Sequence, residues 1–180
     1  RPGWFEEPVA HQNIGSMVEV AHRSPVPIAT GESFTSLQQF AELLKHDTVH
    51  IVQPEPLYLG GLWRTRQVAA MVDAYYGVVA PHNAQGPVCA AISAQLGACI
   101  PNFYVQETFE VQASTAIEMQ IVDEPVLAVD GYVPVPQRPG LGIDLDWDRL
   151  AGYPYERANM LPLFTVGWEK RRDDRESSDQ

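Results

Sequence analysis

Two patterns of apolar residues alternate along the first part of the chain. Short apolar, often β-branched runs predict strands at "WFEEP", "VPIATGE", "VHIVQPE", "GVVAPH" and "NFYVQE". The stretches between them have helical spacing: "NIGSMVEVAHR", "SFTSLQQFAELLKH", "GGLWRTRQVAAMVDAYYG" and "GPVCAAISAQLGA". In the second, Phe40, Leu43 and Leu44 share one face and Ser36 sits near the start as a capping residue. In the third, Val68, Met71, Val72 and Tyr75 follow the i, i+3, i+4, i+7 pattern, and Gly77 lies past the end. Trp63, Tyr75 and Tyr76 are assigned to helix packing.

Strands that alternate with helices predict right-handed βαβ units and a parallel sheet, hence an α/β fold. The residues that close the strands carry the chemistry. They are Glu6, Glu32, Glu55, His82 and Glu107, separated by 26, 23, 27 and 25 residues. In parallel βα architectures the C-terminal strand ends gather on one face, and sites are built there. Carboxylates brought together repel, and burying them uncompensated costs several kcal/mol each. A divalent cation compensates such a cluster, and hard oxygen ligands suit Mg²⁺. A single such Glu would read as an acid favoured by a helix N-terminus; five ionisable groups in register favour a shared rim. His82, in "VVAPHNAQGP", ends a buried strand at that rim, whereas His11, His22, His46 and His50 lie outside the rhythm and are assigned structural or solvated positions. Asn83 and Gln85 are candidates to line the pocket.

Charge narrows the classes of partner. The net charge is −11, from 12 basic and 23 acidic residues. That disfavours nucleic acid, which attracts a basic stripe, and an anionic membrane surface. No apolar run of 18 residues or targeting segment stands out, and a cytoplasmic location is expected. Cys89 and Cys99 lack metal-ligand spacing and are expected to be buried, reduced thiols. The chain opens on Arg1-Pro2-Gly3 without methionine, so an upstream part is expected.

"WFEEP", "IATGES", "VQPEPLYLGGL", "APHNAQGP" and "VQETFE" resemble, in order, the later strands of the mandelate racemase and muconate-lactonising branch of the enolase superfamily. The acid-sugar dehydratases of galactonate type are the nearest in look, and "RPGLGIDLD" resembles the segment after their barrel. The resemblance implies strands 4 to 8 of a TIM-type (β/α) barrel, an open half-barrel in this chain, plus a C-terminal segment. It implies Mg²⁺ held by Glu6 and Glu32, a catalytic His82 paired with Glu55, and Glu107 hydrogen-bonding the substrate or intermediate. Where the family has Asp, this chain has Glu55. The strands that carry the third metal ligand and the second-strand base lie outside this chain.

The reaction implied is abstraction of the proton α to a carboxylate, with loss of water from an acid sugar to give a 2-keto-3-deoxy acid. A racemase or cycloisomerase of the same superfamily, or a non-catalytic half-barrel, are the alternatives. The expected partner is a small acid-sugar molecule, with neither nucleic acid nor membrane, and a homo-oligomer is expected of the full-length form. The 180-residue chain alone is expected to be inactive. Three regions are expected: the barrel portion 1–124, a segment 125–168 packing on barrel or cap, and a disordered charged tail 169–180.

Overall fold

The computed structural model describes residues 1–84, 86–108 and 121–154. Four parallel strands form one sheet in the order of the chain: β1 (Phe5–Glu6), β2 (Ile28–Thr30), β3 (Ile51–Val52) and β4 (Val78–Val79). The register steps Glu6 against Ala29, Ala29 against Ile51, and Ile51 against Val78. Helices α1 (Ile14–Arg23), α2 (Leu37–Leu44), α3 (Pro56–Leu59), α4 (Leu62–Ala74) and α5 (Pro87–Cys99) follow or connect them. The strand–helix alternation predicted from the sequence is therefore present, as an open part of a (β/α) barrel.

Local chemistry explains the helix boundaries. Asn13 caps α1 by accepting from the Ser16 N–H, and Ser36 with Gln39 forms a full capping box on α2. The turn into α4 runs through Gly60 and Gly61, both at positive φ (88° and 101°), where a glycine carries no steric penalty.

The two faces of the sheet differ. On the helix side Met17, Phe34, Phe40, Leu43, Leu44 and Val68 join the large apolar core. On the concave side a thin layer of Ala29, Ile51 and Ala80 packs with Trp4 and Val78. The sheet is strongly curved. Flat strands about 4.8 Å apart would hold the two edges roughly 19 Å from each other. Instead Trp4, just before β1, meets Tyr104 at the opposite edge with ring centroids 6.2 Å apart.

Three expectations need correction. The fifth strand is a single parallel bridge, Val79 to Phe103. Trp63 is 67% exposed and Tyr76 96% exposed. Trp63 lies off the buried stripe Thr65, Val68, Ala69 and Val72, and Tyr76 turns the chain at φ 58° after the helix has ended. Tyr75, the C-cap of α4, is likewise exposed, at 39%. Cys89 is buried as expected, but Cys99, the last residue of α5, is exposed.

Residues 121–146 belong to the same compact unit as the sheet. They contain no regular strand: Val122 bridges Leu145, and Val129 bridges Tyr132. Between the latter pair Asp130 and Gly131 both take positive φ (52° and 83°), which makes this Asp-Gly pair a tight hairpin turn. Val126, Val133, Leu141 and Ile143 pack against Ala91 and Ala94 of α5. The second unit starts at Trp147 and opens with a short helix, Trp147–Ala151. The expected charged tail 169–180 lies outside the described residues.

Candidate active site at the strand-end rim

The five predicted residues all sit where their segments leave the sheet, and the βα connections deliver them to one rim. Glu6 ends β1, which among the described residues is an edge strand paired only with β2. Glu107 follows the bridge at the opposite edge. Between them His82 is the hub. Its Nδ1 lies 2.8 Å from Glu55 Oε2, and its Nε2 lies 3.7 Å from Glu32 Oε2 and 3.9 Å from Glu107 Oε2. Residues 75 positions apart in sequence, Glu32 and Glu107, thus face the same ring nitrogen.

Glu55 is fully buried. Its Oε1 accepts from the Leu57 N–H, capping α3, and from the Cys89 thiol, each at 3.0 Å. Burial opposes the charge on Glu55, but the hydrogen bonds from His82, Cys89 and Leu57 outweigh it and hold the carboxyl below its usual range. The added methylene of Glu, relative to the family's Asp, does not prevent the contact with the ring. Burial also disfavours a charged His82. The hydrogen bond to Glu55 and the charges of Glu32 and Glu107 prevail, so the imidazole is raised above its ordinary value. A neutral Cys89 is enforced by burial and by Glu55, which push its thiol far up.

Glu32 shows the rim's excess of negative charge. Burial raises its carboxyl; His82 opposes the rise, while Glu7, Glu6 and Glu107 add to it. Like charges therefore converge on Glu32 from both neighbouring directions. Among the described residues no group of three or more His, Cys, Asp or Glu is arranged to hold a metal ion. Glu6 and Glu32 offer two hard oxygen donors on adjacent strand ends, and the mutual repulsion is what a divalent cation relieves.

Several participants escaped the sequence reading. Glu7 takes φ 36°, which breaks the strand alternation after Glu6 and turns its carboxylate toward β2. There it accepts from Thr30 Oγ1 at 2.7 Å and from the Gly31 N–H. Gln53 Nε2 and Trp4 Nε1 both donate to Glu6 Oε2, at 2.6 and 3.0 Å. The period-2 spacing of Gln53 and Glu55 at the end of β3 was a usable signal for the former. Asn83 is buried and donates its backbone N–H to Glu107 Oε2 at 3.0 Å and its side-chain amide to the Glu107 carbonyl at 3.2 Å. Gln85, the other pocket candidate, lies outside the described residues.

The chain is 33% identical over 158 residues to a D-xylonate dehydratase of Haloferax volcanii, covering 88% of this chain and 38% of that protein. It is 29% identical over 165 residues to a D-mannonate dehydratase of Sphingomonas sp., covering 91% and 40%. A solved mandelate racemase/muconate lactonizing enzyme from Jannaschia sp. CCS1 superimposes with TM-score 0.79 at 34% identity, covering 86% of this chain and 39% of that one. The chain thus spans about two fifths of the length of the curated relatives it matches. A family model described as enolase C-terminal domain-like matches residues 1–149, and the chain belongs to that family.

Proposed function

We propose that the rim serves Mg²⁺-dependent removal of the proton α to a carboxylate, leading to dehydration of an acid sugar to a 2-keto-3-deoxy acid. The observation that carries this reading is His82, with Nδ1 on buried Glu55 and Nε2 turned to Glu32 and Glu107. The dehydratase names of the relatives support the choice of water loss.

Glu6 and Glu32 are the residues that would hold the cation, with further donors from outside this chain. When bound, the ion would supply positive charge to the substrate carboxylate, where a second negative charge develops as the proton leaves. The chain's own residues handle the proton. Glu55 accepts from Nδ1, which fixes the tautomer with the lone pair on Nε2. That nitrogen can take the α-proton or, once protonated, give a proton to the β-hydroxyl. The C–O bond then breaks, water departs, and the enol left behind becomes the 2-keto product. A raised imidazole pKa suits the protonating role near neutral pH. Positioned acid–base help of this kind is worth about 10²–10⁴-fold. Glu107, steadied by the Asn83 N–H, is placed to hydrogen-bond the substrate or the enol.

The test is a panel of acid sugars incubated with the intact protein and Mg²⁺, scored for 2-keto product. His82→Asn should lower turnover by about 10²–10⁴-fold and largely spare metal uptake. Unchanged turnover refutes the catalytic role. Exchange of the α-proton with deuterated water without 2-keto product would assign racemase chemistry instead.

A further inference from the structure

Glu6 occupies an awkward place for a metal ligand. It is an exposed side chain on an edge strand, so its own strand does little to orient it. Two donors nevertheless converge on the same one of its oxygens. Gln53 Nε2 reaches Oε2 at 2.6 Å across the intervening strand, and Trp4 Nε1 reaches it at 3.0 Å. The residue of β2 in register with Glu6 is Ala29, whose methyl group is too short to obstruct the path. Because a carboxylate only accepts, the atom of Gln53 facing it is the amide nitrogen and not the carbonyl oxygen.

The other end of Gln53 makes the arrangement informative. The residue is 3% exposed, and its carbonyl Oε1 is buried without a hydrogen-bond partner among the described residues. An unmade hydrogen bond on a buried acceptor is destabilising, and an apolar residue of similar length would remove it. A glutamine here serves the amide end at the expense of the carbonyl end.

We propose that Gln53 is a positioning residue for cation binding: with Trp4 it fixes Oε2 of Glu6, so that the remaining oxygen is offered to the ion. The proposal rests on the reading of Glu6 as a metal ligand. It adds a residue whose effect is separable from stability, because the same substitution that loosens Glu6 removes an unpartnered buried oxygen.

The experiment titrates the intact protein with Mn²⁺, a hard divalent cation visible by electron paramagnetic resonance, and records thermal unfolding without metal in parallel. Glu6→Gln, expected to abolish the rim-bound signal, identifies the site. Gln53→Met should weaken Mn²⁺ binding by about 10–100-fold, the usual effect of losing a hydrogen bond that orients a ligand. Its unfolding midpoint without metal should stay level or rise. Trp4→Phe keeps the ring against Tyr104 but removes the indole donor; it should weaken binding in the same direction and supplies the answer if Gln53→Met fails to fold. Equal Mn²⁺ affinity in wild type and Gln53→Met, or in wild type and Trp4→Phe where that variant must serve, overturns the proposal. So does a loss of affinity matched by a fall in metal-free stability. An intact wild-type protein that takes up no Mn²⁺, or one whose signal survives Glu6→Gln, overturns the metal reading itself and the proposal with it.

Discussion

Substituting leucine for His82 should expose the charge that the dyad buries. In the wild type, Glu55 is fully buried and accepts from His82 at 2.8 Å on one oxygen, and from Leu57 and Cys89 at 3.0 Å on the other. Leucine fills much of the ring's volume but leaves Oε2 without a donor. Removing one member of a buried ionic pair costs about 3–5 kcal/mol, because the remaining charge is uncompensated. Glu55→Gln keeps the shape and discards the charge, so the expected loss is smaller, about 1–3 kcal/mol. The order of the two variants is thus fixed by charge and not by size. Urea unfolding across a pH series is the assay. Glu55 is held low in the wild type, so the stability it contributes is present above about pH 4.3 and is lost as pH falls through its depressed native value. In His82→Leu burial prevails, the carboxyl rises, and the penalty appears above about pH 4.3 and fades below it. The two stability curves should therefore converge on acidification. His82, raised in the native state, contributes below about pH 6.5, and that share is lost as pH climbs through its native value. The wild-type advantage accordingly narrows on the alkaline side as well. A penalty below about 1 kcal/mol at pH 6, or one that persists undiminished at pH 4, would refute the reasoning.

Three further outcomes are expected. Gly31→Ala should destabilise the chain by about 1–3 kcal/mol in the same assay, because φ is +124° and the new Cβ would lie 2.9 Å from the ring of fully buried Phe40; an unchanged midpoint would count against it. Iodoacetamide should add one label to the native chain, on exposed Cys99, and a second only in urea, since Cys89 is buried and its thiol donates to Glu55; mass spectrometry of native digests showing Cys89 modified would contradict this. Asp123→Asn should speed hydrogen exchange at the Asp144 amide, because Asp123 accepts that N–H at 2.8 Å while paired with Arg138 at 2.7 Å, the contact that chiefly holds its carboxyl low; exchange at the wild-type rate would show the clasp to be idle.

The rim was legible because it rests on two signals that survive in sequence: strand and helix periods, and an ionisable residue closing each strand. The dyad came from the family resemblance, and its geometry is simple: Glu55 and His82 each lie three residues past the ends of β3 and β4, which pair in register. What stayed hidden was shorter than a period or depended on the third dimension. Helix α3 spans four residues, too few to show a helical repeat. Glu7 was passed over because a non-glycine residue at φ 36° breaks the strand alternation that the reading assumed. Gln53 and Trp4 reach Glu6 through curvature and cross-strand proximity, and nothing in the one-dimensional pattern encodes curvature. Cys89 looked like an apolar helix residue, which it is by burial; its role as a donor depends on Glu55 lying 3.0 Å away. Exposed Trp63 and Tyr76 were misplaced because aromatic composition predicts burial on average and says nothing of where a helix ends.

Glu55 performs two tasks with one carboxylate. One oxygen opens helix α3 through the Leu57 N–H, and the other steadies the histidine ring. Electron density drawn toward a charged imidazole is withdrawn from the oxygen that faces Leu57, so the amide senses each proton that His82 gains or sheds. Leu57 and Tyr58 stand at the outer surface, 41% and 50% exposed. The protonation state of the rim is thereby written into the resonance frequency of a backbone amide on the other side of the carboxylate, where a spectrometer can read it without touching the site.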